Sequence, residues 1–109
     1  MLINYKTKKL QKQLTDPKQL NKHYGQLARK INQRLKMLKA ADNLAVMKTL
    51  PGGCHELKEN YKGCLAVDVS GNYRLIFKPD HDPIPENKSG GLDWESVTII
   101  EVQEITDYH

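Results

Sequence analysis

Three short clusters carry the residue types that move protons and hold anions. His55, Glu56 and Lys58 follow a Pro51-Gly52-Gly53 break, Arg74 sits within a run of alternating residues, and Asp107, Tyr108 and His109 end the sequence. Histidine changes charge near neutral pH, and one positioned imidazole is worth roughly 10²–10⁴-fold in a proton transfer. The planar fork of an arginine matches two anionic oxygens at once. Other constellations are missing. There is no Gly-rich phosphate loop, no HExxH and no serine elbow, which removes the commonest nucleotide-binding, metalloprotease and hydrolase readings. Cys54 and Cys64 lack a second Cys pair at zinc-ribbon spacing, so reduced thiols are expected, with no metal and no cofactor. A zinc set drawn from Cys54, His55, Cys64 and His109 has no recognised ligand spacing. His23 and His81 fall outside the clusters and are expected on the surface.

The elements that must position these residues can be read from periodicity. Leu2–Tyr5 reads as a short opening strand and Lys6–Leu14 as a brief polar helix. Asp16-Pro17 is a helix start, since Asp can cap free amides and Pro is tolerated at the first helical position. From there Leu20, Tyr24, Leu27, Ala28, Ile31, Leu35 and Leu38 recur at three- and four-residue steps. They predict one long amphipathic helix with Arg29, Lys30, Arg34 and neighbouring lysines off the apolar stripe. Gly25 inside it costs about 1 kcal/mol relative to Ala without breaking the pattern. Asp42 is expected to cap a short helix that Pro51-Gly52-Gly53 ends.

After Gly53 the period changes to two. Leu65, Val67 and Val69 alternate with polar or small residues, as do Tyr73, Leu75 and Phe77, with Ser70-Gly71-Asn72 between them. A two-residue turn would put the two apolar sets on opposite faces. A three-residue loop pairs Val69 with Tyr73, Val67 with Leu75, Leu65 with Phe77 and Asp68 with Arg74, and is therefore predicted. Residues 79–94 read as a mobile polar loop, and Ser96–Ile105 as a final strand. Helices followed by a meander predict an α+β fold, with N-terminal helices on one face of a small antiparallel sheet and the other face open.

Composition limits the partners. At 109 residues there is room for one domain, 1–109, because a second core would need roughly 50 more. The opening residues lack the apolar stretch of a signal peptide, and no run approaches the ~18 apolar residues of a membrane span, so a cytoplasmic protein is expected. The net charge of +4 conceals a division. Residues 1–39 carry eleven Lys/Arg against the single acid Asp16, whereas residues 40–109 carry six against twelve acids. Such a polycationic first third attracts phosphate backbones without reading sequence.

Three separated blocks, in order, resemble the signature of the HigB-like killer proteins of the RelE/ParE toxin superfamily. They are Leu50–Lys58, Gly63 with Val67–Phe77, and Asp107-Tyr108-His109. The resemblance implies a RelE-like fold, ribosome-dependent cleavage of messenger RNA, and an antitoxin partner that often carries a helix-turn-helix domain, in a heterotetrameric complex. By motif position it assigns His55 and His109 to acid–base work and Arg74 to the phosphate. Lys58 and Asp107 take supporting roles, and Tyr108 stacks or hydrogen-bonds. Arg29, Lys30 and Arg34 are expected to meet ribosomal RNA. The alternatives from the residues alone are a ParE-like gyrase poison of the same fold, which has no need of two histidines, and a non-catalytic RNA- or ribosome-binding module.

Overall fold

Residues 1–107 are described by the computed structural model, and Tyr108 and His109 lie outside the described residues. Strand β1 (Leu2–Tyr5) leads to helix α1 (Lys8–Thr15), whose first turn is capped by the Thr7 hydroxyl accepting from the Leu10 amide at 3.0 Å. Asp16 then caps helix α2 (Pro17–Tyr24) by accepting from the Lys18 amide at 3.0 Å, with Pro17 in the first helical turn as the sequence indicates.

The single long helix expected beyond Pro17 is broken. Gly25 adopts φ 51° and ψ −119°, which ends α2, and a 3-10 turn over Gly25–Leu27 leads into helix α3 (Ala28–Ala40). Nothing lies within 4 Å of where a Gly25 Cβ would sit, so the break comes from backbone conformation rather than crowding. The apolar stripe continues across it: Leu20, Ala28, Ile31, Leu35 and Leu38 are all buried in one core. A 3-10 helix over Leu44–Thr49 follows, capped by Asn43 rather than by Asp42, because the Asn43 side chain accepts from the Ala45 amide at 3.0 Å.

Strands β2 (His55–Glu56), β3 (Leu65–Asp68), β4 (Tyr73–Pro79) and β5 (Ile99–Asp107) complete a five-stranded sheet of order β1-β5-β4-β3-β2. Its hairpin has the expected odd loop, with Leu65 opposite Phe77, Val67 opposite Leu75 and Asp68 opposite Arg74. Two expectations about the sheet are corrected. It is mixed rather than antiparallel, because the last strand, β5, lies between β4 and the first strand and runs parallel to β1, Leu2 opposite Ile99. The final strand starts at Ile99, after a 3-10 turn over Trp94–Ser96. A bulge beside Ile76 and Phe77 shifts the β4–β5 register.

Leu65, Val67, Leu75, Phe77, Ile100 and Val102 pack against the helices. The second face is not left open over its whole extent. The β2–β3 connection folds back across it, with the Leu57 amide donating to the Cys64 carbonyl at 2.9 Å. Leu57, Ala66 and Ile76 are buried there, with Tyr61 and Cys64 packed on them. The Tyr61 hydroxyl donates to Glu104 at 2.6 Å. The loop between β4 and β5 is also tied down. The Thr98 and Ile99 amides donate to His81 Nε2 at 3.1 and 3.3 Å, so His81 is a structural acceptor rather than a bare surface residue. The Trp94 indole donates to Glu56 at 3.3 Å, and the Lys48 ammonium lies 4.3 Å from the centre of the Trp94 ring.

Gly52 is required by both conformation and space. Its φ is +113°, and a Cβ there would stand 2.5 Å from Val67 Cγ2 and 3.1 Å from Arg34 Nε. Gly52→Ala is therefore expected to cost about 2–4 kcal/mol, combining strain with a displaced core side chain. Denaturant unfolding of the two proteins checks this.

Candidate functional site

His55 reaches the sheet through the Pro51-Gly52-Gly53 turn. Its Nδ1 lies 2.8 Å from the Gly53 carbonyl. A carbonyl only accepts, so Nδ1 carries the proton and the lone pair of the neutral ring sits on Nε2. Register places His55 opposite Ala66, Ala66 opposite Ile76 and Ile76 opposite Glu104, so these four share one face. One pleat further along that face, Asp68 stands opposite Arg74 and Arg74 opposite Thr106.

Arg74 is held in detail. Its Nε pairs with Asp68 Oδ1 at 2.8 Å, and Nη1 donates to the carbonyls of Ser70, Gly71 and Tyr73 at 3.0, 3.3 and 3.2 Å. These contacts use Nε and Nη1, and none uses Nη2. The same guanidinium thus closes the hairpin, and Nη2 stands outside these contacts. Two strand spacings and one pleat separate His55 from Arg74, about 12 Å between Cα atoms.

The other sequence candidates are distributed unevenly. Asp107 stands opposite Tyr73, so β5 runs alongside the Arg74 end of the site, although alternation turns Asp107 to the other face. Tyr108 and His109 fall outside the described residues. Lys58 is exposed and is not beside Arg74. It borders a cavity of about 600 Å³ at the opposite end of β3 and β4, with Leu57, Leu65, Pro79, Ile84 and Leu92. Arg29 and Lys30 are exposed on α3 and line a groove with Gln26, Asn32, Gln33 and Lys36 that contains no acid. Arg34 does not belong with them. It is only 7% exposed, with Nε donating to the Asp68 carbonyl at 2.8 Å, which corrects its expected place on the outer basic face. Asp68 and the Gly52 and Gly53 carbonyls are structural parts of the site that were not singled out as such. The Gly-Gly doublet beside His55 was the available signal.

The thiols have a different character. Burial pushes the Cys54 thiol up to about 12, against an opposing pull from the Lys48 ammonium, and burial also raises Cys64. Among the described residues no group of three or more His, Cys, Asp or Glu is placed to hold a metal ion. Unfolded Cys54 ionises near 9.0 and folded Cys54 near 12, so its contribution to stability is present below pH 9 and lost as pH rises towards 12. A Cys54→Ala protein is expected to lose less stability over that range, and native Cys54 to resist alkylation at pH 8.

A family model described as the RelE-like toxin of type II toxin–antitoxin system HigB matches residues 3–87. The chain belongs to this family. The matched stretch includes both His55 and Arg74 of the RelE-like toxin and stops before β5. No curated protein matches it. Its fold is similar to solved structures of a YoeB/ParE toxin from Agrobacterium tumefaciens (13% identity, TM-score 0.60, all of both chains) and of a YoeB–YefM complex from Staphylococcus aureus (18%, 0.57, all of this chain and 98% of that one). A YoeB dimer from Staphylococcus aureus is similar as well (18%, 0.56, all of this chain and 97% of that one). At these identities the likeness is one of fold, helices on a five-stranded mixed sheet. No helix among the described residues is long and apolar enough to cross a membrane.

Proposed function

We propose that this toxin acts as a metal-independent endoribonuclease that cuts messenger RNA on the ribosome, in the cytoplasm. The observation that carries the reading is the shared sheet face of His55, with its Nε2 lone pair, and Arg74, with its Nη2 unused by the hairpin. In the reaction an RNA 2′-hydroxyl attacks its own 3′-phosphate, forming a 2′,3′-cyclic phosphate as the bond to the 5′-oxygen breaks. His55 and His109 share the two proton transfers, one taking the hydroxyl proton and the other giving one to the leaving oxygen. Arg74 holds the phosphorane oxygens, whose charge grows in the transition state. Lys58, at the far end of β3, and Asp107, on the other face of β5, lie off the His55–Arg74 face and take supporting roles from outside it rather than at the reacting phosphate, and Tyr108 stacks on a base or hydrogen-bonds to it. In a reconstituted translation reaction, a message is expected to be cut when programmed on ribosomes and left intact as naked RNA. Equal cutting of both would remove the ribosome from the mechanism.

The partner that restrains the toxin is an antitoxin carrying a helix-turn-helix domain, in a heterotetramer. Solved YoeB–YefM complexes from Staphylococcus aureus, one of them heterotetrameric, support that stoichiometry. Arg29 and Lys30, in their acid-free groove, dock on ribosomal RNA. Arg29→Glu with Lys30→Glu is expected to weaken ribosome binding and to flatten its log–log salt dependence by about 2, since each lost phosphate contact removes nearly one released counterion. An unchanged slope in a salt titration would place the ribosome on another face.

A further inference from the structure

Among the described residues, Arg34 is the one charged side chain that the fold buries, and its contacts lead to both halves of the site. Its Nε donates to the Asp68 carbonyl at 2.8 Å, and the guanidinium lies against Gly52, where a Cβ would stand 3.1 Å from Nε. Nη1 meets the Met37 sulfur at 3.3 Å. The Asp68 amide donates to the Gly52 carbonyl at 2.8 Å, so both backbone groups of Asp68 are held, one by Arg34 and one by the glycine it covers. The Asp68 carboxylate in turn holds Arg74, and the next carbonyl along, that of Gly53, holds His55 Nδ1.

Charge points the same way. Asp68 and Arg74 form a neutral pair, which has little attraction for a phosphate. A third, buried charge behind Asp68 makes the group net positive, and solvent screens a buried charge less than an exposed one. A lysine would keep that charge but lacks the flat fork that lies along Gly52 while donating to a carbonyl.

We propose that Arg34 is a positioning residue of the cleavage site: it fixes the Asp68–Arg74 pair and the Gly52–Gly53 turn that orients His55, and it does not contact the ribosome. The proposal rests on the ribonuclease reading above. The test uses the full chain with Arg34→Met, which fills similar volume without charge, and Arg34→Lys, with folding checked by circular dichroism and melting. Two quantities are read: the single-turnover cleavage rate at saturating ribosomes, and the ¹⁵N signals of Arg74 Nε and the His55 ring.

Arg34→Met is expected to bind ribosomes like the parent and to cut about 10²-fold more slowly, the size of loss that a misplaced reacting group produces. Arg34→Lys is expected to lose less. In both, the Arg74 Nε–H should exchange faster and the separation between the two His55 ring nitrogens should shrink. A folded variant with the parent's rate and unchanged signals overturns the proposal. If Arg34→Met does not fold, Arg34→Lys decides by the same readouts. If the parent cuts no ribosome-bound message, the ribonuclease reading falls, and the two signals still decide whether Arg34 holds Arg74 and His55.

Discussion

His55→Ala is expected to slow single-turnover cleavage of ribosome-bound message by about 10²–10⁴-fold while leaving the fold intact. The two effects separate because His55 is exposed and, among the described residues, its ring hydrogen-bonds to the Gly53 carbonyl alone. Its pairing with Ala66 belongs to the backbone of β3, not to the imidazole. Removing such a side chain changes stability by less than about 1 kcal/mol. His55→Gln makes the test sharper. A glutamine amide can still donate to the Gly53 carbonyl but cannot take up a proton, so it should be about as slow as alanine. A glutamine protein that cuts at the parental rate would mean that His55 serves geometry and not proton transfer.

Arg74→Lys is expected to lower the rate by about 10²–10³-fold, the loss seen when one preorganised donor to a developing oxyanion is removed. The parent guanidinium serves Asp68 through Nε and three carbonyls of the hairpin through Nη1, and in the proposed reaction Nη2 meets a phosphate oxygen. A lysine ammonium carries its three donors on one nitrogen and lacks the planar fork, so it cannot meet all three demands from one position. Stability should fall by about 1–2 kcal/mol: the ion pair is screened by the 45% exposed Asp68, but the Arg74 side chain is only 19% exposed and its hydrogen bonds to the hairpin carbonyls are lost. A parental rate in Arg74→Lys would reduce Arg74 to a clamp on the hairpin.

What the sequence revealed follows from the range of each interaction. The β3–β4 register was legible because alternation and a three-residue loop act locally, and a wrong loop length would have put Val67 and Leu75 on opposite faces. Asp16-Pro17 was legible for the same reason. The break at Gly25 was not, since the apolar stripe runs through it and only the backbone conformation differs. The parallel β1–β5 pair joins residues almost a whole chain apart, and no local pattern records that. The β2–β3 connection covers Ala66 and Ile76 through contacts of Leu57 and Tyr61 that periodicity does not show.

The site divides in the same way. His55 and Arg74 share a face because alternation in β2, β3 and β4 is regular. Lys58, only three residues from His55, lies beyond the end of β2 at the wall of another cavity. Arg34 was misplaced although its position was readable: it comes three residues after Ile31 and four before Leu38, which puts it on the buried stripe. His81 shows the converse, a polar residue whose partners, the Thr98 and Ile99 amides, lie beyond a long loop.

The most direct test of the central claim is 5′-end mapping of a translated reporter message after induction of the untagged chain, beside His55→Ala. New ends inside the reading frame are expected, appearing only when the message is translated and vanishing with His55. Growth arrest without such ends, or ends that persist in His55→Ala, would contradict the claim.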